Sequence, residues 1–324
     1  PMKTLTDITS FTDYVEQLNL FFDSDMLDDV ETIETSYPTY DKDRFLDSVY
    51  MNDESYNTLI SLVKGKKNII LQGAPGVGKT FAAKRLAYSM MGVKDPNRVM
   101  MVQFHQSYSY EDFIMGFRPS ENGFKLKHGV FYEFCKRAEV DSDNDYFFII
   151  DEINRGNLSK IFGELFMLLE SDKRGVALQL LYADEKFSIP ENLYIIGMMN
   201  TADRSLAMLD YALRRRFAFF DLKPAFESDG FKSYQKDLNN DKFDKLIECI
   251  KRLNLAIKSD EILGAGFCIG HSYFCDLDKF EMDELEAVLI RIVDFEIIPL
   301  LSEYWFDDVD MVNEWSNNLR SAIK

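Results

Sequence analysis

Cysteine, histidine and long apolar runs are all scarce in this 324-residue chain. It holds four cysteines (Cys135, Cys249, Cys268 and Cys275) and three histidines. No two cysteines form a C-x-x-C pair, so neither a zinc site nor a disulfide framework is indicated, and four free thiols fit a reducing compartment. No apolar run nears the roughly 18 residues of a membrane span. The N-terminus lacks the basic-then-apolar pattern of a secretory leader, because Asp7 and Asp13 interrupt it. A cytoplasmic protein with no membrane contact is expected. Positive charge is also short: 37 Lys and Arg against 55 Asp and Glu leave a net charge of −18. That excludes the broad basic footprint of a stand-alone nucleic-acid binder, leaving only a local patch or a partner for contact with DNA. There is no internal repeat and no low-complexity tract.

What remains is ample for folding. Hydrophobic residues make up 46% and charged residues 28% of the chain, which supports a sizeable core and about two domains. Residues 1–44 read as an acidic segment or linker, with a helix expected over 8–22. The leading Pro1-Met2 suggests that an upstream part has been removed. From 45 to 224, short apolar runs alternate with helix-length stretches: Asn68–Gln72, Val99–Phe104, Tyr146–Ile150, Leu193–Met198 and Phe217–Leu222. Near-continuous apolar strands joined by crossovers predict an α/β domain with a parallel sheet covered on both faces. From 225 to 324 the β signal fades. Apolar residues at three- and four-residue spacing, such as Leu285, Val288, Leu289, Ile292 and Phe295, predict a smaller helical domain, with a kink or break at Pro299. Trp305 and Trp315 are expected to pack that domain.

The chemistry starts at Gly73-Ala74-Pro75-Gly76-Val77-Gly78-Lys79-Thr80, which fits G-x-x-x-x-G-K-[ST] between a strand and the helical run Thr80–Met91. Glycines let backbone N–H groups turn toward phosphate oxygens, and the helix N-terminus adds its dipole. Lys79 would reach the β- and γ-phosphates, and the Thr80 hydroxyl would ligate Mg²⁺. The apolar run from Tyr146 ends in Asp151-Glu152. At a strand's C-terminal end these acids face the ligand crevice of an open α/β sheet. Asp151 would hold Mg²⁺ and Glu152 would orient or deprotonate the attacking water. Asn200 is a candidate for contacting both γ-phosphate and water, while Asp203 and Arg204 either join it or cap the next helix. Three arginines, Arg214, Arg215 and Arg216, cannot share one face, so some point away from their own core. An arginine offered to a neighbour's γ-phosphate is worth about 10³–10⁵ in rate. His105 reads as a structural histidine. His128, in a Lys-rich turn (Lys125 to Gly129), belongs with Lys136 and Arg137 to a solvated basic patch.

This order of motifs resembles the AAA+ family of ring-forming NTPases. Met199-Asn-Thr-Ala-Asp-Arg204 is similar to the signature of its McrB branch, as are Phe104–Phe113, Asp151–Arg155, Lys160–Leu165 and Gly270-His-Ser-Tyr-Phe274. The resemblance spans roughly residues 60–275. It implies an α/β AAA+ P-loop fold with a C-terminal helical lid. It further implies Lys79, Thr80, Asp151 and Glu152 as the catalytic core, Asn200 as sensor, and Asp203 and Arg204 positioning water. Arg215 and Arg216 would act as fingers on the adjacent subunit of a hexameric ring. The implied activity is Mg²⁺-dependent GTP hydrolysis coupled to a McrC-like nuclease partner in restriction of modified DNA. The implied alternative is a MoxR-like ATPase that remodels proteins, since no residue pattern by itself selects guanine. Asn154 and Arg155 read either as interface residues or as a helix start. A typical AAA+ lid offers an arginine to the γ-phosphate, whereas this one shows Gly270-His-Ser-Tyr-Phe274; His271 or Ser272 reads either as approaching nucleotide or as lid packing. Members also carry a DNA-reading domain, here either missing or supplied by another chain.

Overall fold

The computed structural model describes residues 37–121, 123–203 and 211–324. The helix expected over 8–22 and Arg204 lie outside the described residues. Nine strands occur among them: β1 (Asn68–Gly73), β2 (Val99–Gln103), β3 (Met115–Ser120), β4 (Gly123–His128), β5 (Tyr146–Asp151), β6 (Leu178–Gln179), β7 (Lys186–Phe187), β8 (Leu193–Asn200) and β9 (Ala218–Leu222). Five of them make one parallel sheet in the order β2-β5-β8-β1-β9. The central strands β1, β5 and β8 are buried along nearly their whole length, whereas the edge strand β2 is only half-buried. This is why the interior strands read as unbroken apolar runs rather than as alternating ones.

Alternation survives in where the side chains go. Ile69 and Leu71 of β1, with Phe147 and Ile149 of β5, enter one core, which also takes the lid helices. Ile70, Phe148 and Ile150 enter the core on the opposite face, built largely of Phe104, Phe113, Phe131, Phe134 and Phe162. Successive residues of a strand point to opposite faces, so one apolar run serves both layers.

Helices α1 (Lys42–Ser48), α2 (Asp53–Lys66) and α3 (Lys79–Met91) pack into the core on the Ile69 and Leu71 face, and α4 (Val130–Val140) covers the phenylalanine-rich face. The short helix α5 (Tyr211–Arg216) leads into β9. Beyond residue 225 the described chain is helical, with α6 (Asp229–Leu238), α7 (Asp241–Ser259), α8 (Met282–Ile292) and α9 (Val309–Ile323). Helix α7 starts where the Asn240 side chain accepts from the Phe243 N–H, and it buries Phe243, Leu246, Ile247, Ile250, Leu253 and Ile257 along one stripe.

Two local expectations change. Pro299 does not break its helix. A π-turn over Val293–Ile297 continues α8 directly into the helical segment Ile298–Tyr304, with the proline in that segment's first turn. The wider turn absorbs the missing N–H and the crowding of the ring against the preceding turn. The Lys-rich segment at 125–128 is not a turn but strand β4, hydrogen-bonded to β3 in an antiparallel hairpin. Lys136 leaves the supposed basic patch to pair with Glu139 and Glu185.

Candidate functional site

Three parallel strands end together. Gly73 of β1 is in register with Asn200 of β8, and Ile150 of β5 with Gly197 of β8. With β8 between β5 and β1, the Asp151-Glu152 pair, Asn200 and the glycine-rich loop meet at one edge of the sheet.

The loop from Gly73 to Gly78 turns through positive φ at Gly76 (74°) and Gly78 (76°). Gly78 is the N-cap of α3 in the left-handed region, and no side chain caps that end, so its first-turn N–H groups are offered to an anion. Ala74 and Val77 pack inward, which pins the loop from below while Pro75, Gly76 and Gly78 stay half-buried. Lys79 donates to Gly73 O at 3.0 Å and Ala74 O at 2.9 Å. Burial lowers its ammonium to about 8, against the upward pull of Glu152, Asp151 and Asp203. A lysine whose carboxylate neighbours do not offset its desolvation is suited to gaining charge stabilisation from phosphate.

Glu152 stands at φ 50°, in the left-handed region a non-glycine residue seldom adopts. That turn aims its carboxylate across the strand ends: Oε1 accepts from Asn200 Nδ2 at 2.9 Å, and Oε2 from Arg155 Nε at 3.1 Å. Arg155 also reaches Asp203 Oδ2 at 3.1 Å. Arg155 is therefore tied to two acids of its own chain, in a partly exposed position. Asp151 Oδ1 accepts the Glu152 N–H, and the Thr80 hydroxyl is exposed at the start of α3. A hydroxyl and one carboxylate suit Mg²⁺, which keeps several waters and takes few protein donors beside phosphate oxygens. Among the described residues no group of three or more His, Cys, Asp and Glu could hold a metal by itself.

The arginines separate. Arg216 pairs with Glu170 Oε1 at 3.0 Å and lies 4.4 Å from the centre of the Phe166 ring. Arg214 and Arg215 are exposed, Arg214 lying loosely over Phe219 at 5.8 Å.

The lid meets the loop through its backbone. The Gly270 N–H donates to Pro75 O at 3.1 Å and the Ser272 N–H to Gly76 O at 2.8 Å. A Cβ at Gly270 would overlap the Gly76 carbonyl, and one at Gly76 would enter the Tyr273 ring. Further on, Thr201 Oγ1 donates to Gly266 O at 2.9 Å, so the lid also touches the end of β8. Sequence reasoning weighed the His271 and Ser272 side chains and missed these main-chain bonds. Only the glycine in Gly270-His-Ser-Tyr-Phe274 signals such an approach.

His271 Nδ1 accepts the Ala225 N–H at 3.1 Å, and burial lowers the imidazole to about 4. Its proton is thereby assigned to Nε2. The ring borders a cavity of about 980 Å³ that runs from Gly78 and Phe81 past Tyr50 to Asp276 and Asp278. That volume beside the phosphate loop is ample for a nucleoside.

A family model for the dynein-related AAA domain matches residues 68–217, and one for the McrB α-helical lid domain matches residues 245–313. Over 283 residues the chain is 50% identical to the type IV methyl-directed restriction enzyme EcoKMcrB subunit of Escherichia coli K12, covering 85% of this chain and 61% of that protein. It is 27% identical over 248 residues to the type II restriction enzyme BsuMI component YdiS of Bacillus subtilis 168, covering 62% of this chain and 72% of that protein. The chain thus spans about three fifths of the length of the E. coli relative.

Proposed function

Because the chain belongs to the McrB branch of the AAA+ NTPases, we propose that it hydrolyses GTP, with Mg²⁺, at the interfaces of a hexameric ring. That ring drives a McrC-like nuclease partner in the restriction of modified DNA. DNA recognition belongs to a domain outside residues 37–324 or to another chain. The observation that carries the hydrolytic reading is the hydrogen bond between Asn200 and Glu152 at the strand ends beside Lys79.

In this reading the N–H groups of the Gly73–Gly78 loop bind the β-phosphate. Lys79 exchanges its carbonyl partners for β- and γ-phosphate oxygens. Thr80 and Asp151 would hold Mg²⁺, which would supply charge neutralisation for phosphoryl transfer. Asn200 holds the attacking water in line, and Glu152 takes its proton as the bond to the γ-phosphorus forms and the bond to the leaving GDP oxygen breaks. Asp203 and Arg204 help to position that water, Asp203 through its pairing with Arg155, which also holds Glu152. Arg215, exposed at the end of α5, serves the neighbouring subunit's γ-phosphate. The carboxylates of Asp276 and Asp278 border the cavity for the base, where acceptors suit the N1–H and amino donors of guanine, and the ring of His271 beside them has its Nδ1 taken by Ala225.

The test is phosphate release from GTP by Glu152→Gln. Loss of turnover with nucleotide still bound supports the assignment. Undiminished turnover overturns it.

A further inference from the structure

The last two carbonyls of α5 are not left to solvent. Lys66 Nζ, from the final turn of α2, donates to Arg215 O at 2.8 Å. Asn68 Nδ2, at the first position of β1, donates to Arg216 O at 3.0 Å and also to Leu169 O. Asn68 Oδ1 in turn accepts from Arg174 Nη2. Asn68 is fully buried, and Arg174 is 6% exposed. Burying an amide is unfavourable unless its bonds are made, and both ends of the Asn68 amide are bonded here, so an asparagine at this point is a specific joint rather than filler.

The topology explains why the joint sits there. A helix end leaves carbonyls without intrahelical partners, and α5 has no room for a glycine cap because Ala218 of β9 already pairs with Ile69 of β1. The Asn68 side chain extends that ladder one step and grips the end of the helix. Five residues on, a span of about 17 Å, the same strand ends at Gly73 and the phosphate loop. Of the two arginines expected to act across the interface, Arg216 is held by Glu170 and the Phe166 ring, whereas Arg215 is exposed.

We infer that Asn68, seconded by Lys66, is a positioning residue for the arginine that each subunit offers its neighbour. Strand β1 then ties a subunit's own phosphate loop at one end to its outgoing arginine at the other. The inference rests on the proposed action of Arg215 across the interface.

Mixed assemblies test it. Wild-type subunits are mixed in equal amounts with Glu152→Gln subunits, which do not hydrolyse but still present an intact arginine. In parallel series the added subunit also carries Asn68→Asp, Lys66→Ala or Arg215→Ala. Asn68→Asp removes both donated bonds yet keeps the acceptor for Arg174, and Lys66→Ala alters an exposed side chain, so one remains informative if the other fails to fold. With random mixing, half of the wild-type sites receive an altered arginine. GTP turnover per wild-type subunit should then fall about twofold below the Glu152→Gln mixture for Asn68→Asp, approaching the Arg215→Ala series. If Arg215→Ala suppresses turnover while neither Asn68→Asp nor Lys66→Ala does, the positioning role is overturned and the trans arginine stands. If Arg215→Ala has no effect either, the trans reading falls and the inference falls with it.

Discussion

Asn200 Nδ2 donates to Glu152 Oε1 across 2.9 Å, joining the ends of neighbouring strands β8 and β5. The amide presents a donor to the carboxylate and leaves its own oxygen as an acceptor, so one residue can hold both the base and the water it acts on. Asn200→Ala should lower GTP turnover by about 10²–10³-fold with a much smaller change in KM. Asn200→Asp removes the donated bond and places a second negative charge beside Glu152, so two like charges face each other in the variant. The lower limb of its pH–rate profile should therefore move upward, measured as steady-state phosphate release between pH 5 and 9. An unmoved limb would separate Glu152 from proton transfer.

The lid–loop contact predicts a severe glycine effect. Gly270→Ala inserts a methyl group into the Gly76 carbonyl, where backbone has to move. Overpacking of about 1–3 kcal/mol, expressed as distortion of the phosphate loop, weakens nucleotide binding by about 5- to 150-fold. Gly65→Ala on α2 is the matched control, because nothing lies within 4 Å of its added Cβ. It should stabilise the protein by about 0.5–1 kcal/mol and leave nucleotide binding unchanged. Equilibrium titration with a fluorescent GDP analogue, beside urea unfolding, reads both variants.

The two arginines should fail differently. Arg216→Ala loses the Glu170 pair and the Phe166 contact, lowering stability by about 1 kcal/mol and the melting temperature by about 2–4 °C. Arg215→Ala, exposed before and after, should melt as the wild type while losing assembly-dependent turnover. Thermal melts and phosphate release on the same preparations distinguish the two.

Much of this was legible in the residues. All five sheet strands stand out as apolar runs because both faces of the sheet are covered, and Lys79, Asp151-Glu152 and Asn200 lie where those runs end. The hairpins were not legible. β4, and β3 beyond Gly116, are largely exposed and carry Arg118, Lys125 and Lys127, so no apolar pattern marks them. Arg155 could not be placed because its two partners, Glu152 and Asp203, are distant from each other in sequence and meet only through the β5–β8 pairing. The clamp of Gly270 and Ser272 on the loop uses main-chain atoms, which side-chain motifs do not report.

His271 supplies a pH dependence whose sign is fixed. Its folded pKa of about 4 lies below the unfolded value of 6.5, so the unfolded chain binds the proton first as pH falls. The neutral ring's contribution is whole above pH 6.5 and is lost progressively down to pH 4, by about 3 kcal/mol. Urea unfolding of wild type and His271→Gln between pH 7.5 and 4 should show a steeper decline for the wild type. Parallel declines would mean that the half-buried ring does not resist protonation.

The central claim is that this chain turns over GTP only where subunits meet. Steady-state phosphate release with GTP and ATP in parallel, in Mg²⁺, across a protein concentration series tests it most directly. The account predicts preference for GTP and a specific activity that rises as subunits assemble. Preference for ATP, or an activity per subunit independent of concentration while the protein remains monomeric, would contradict it.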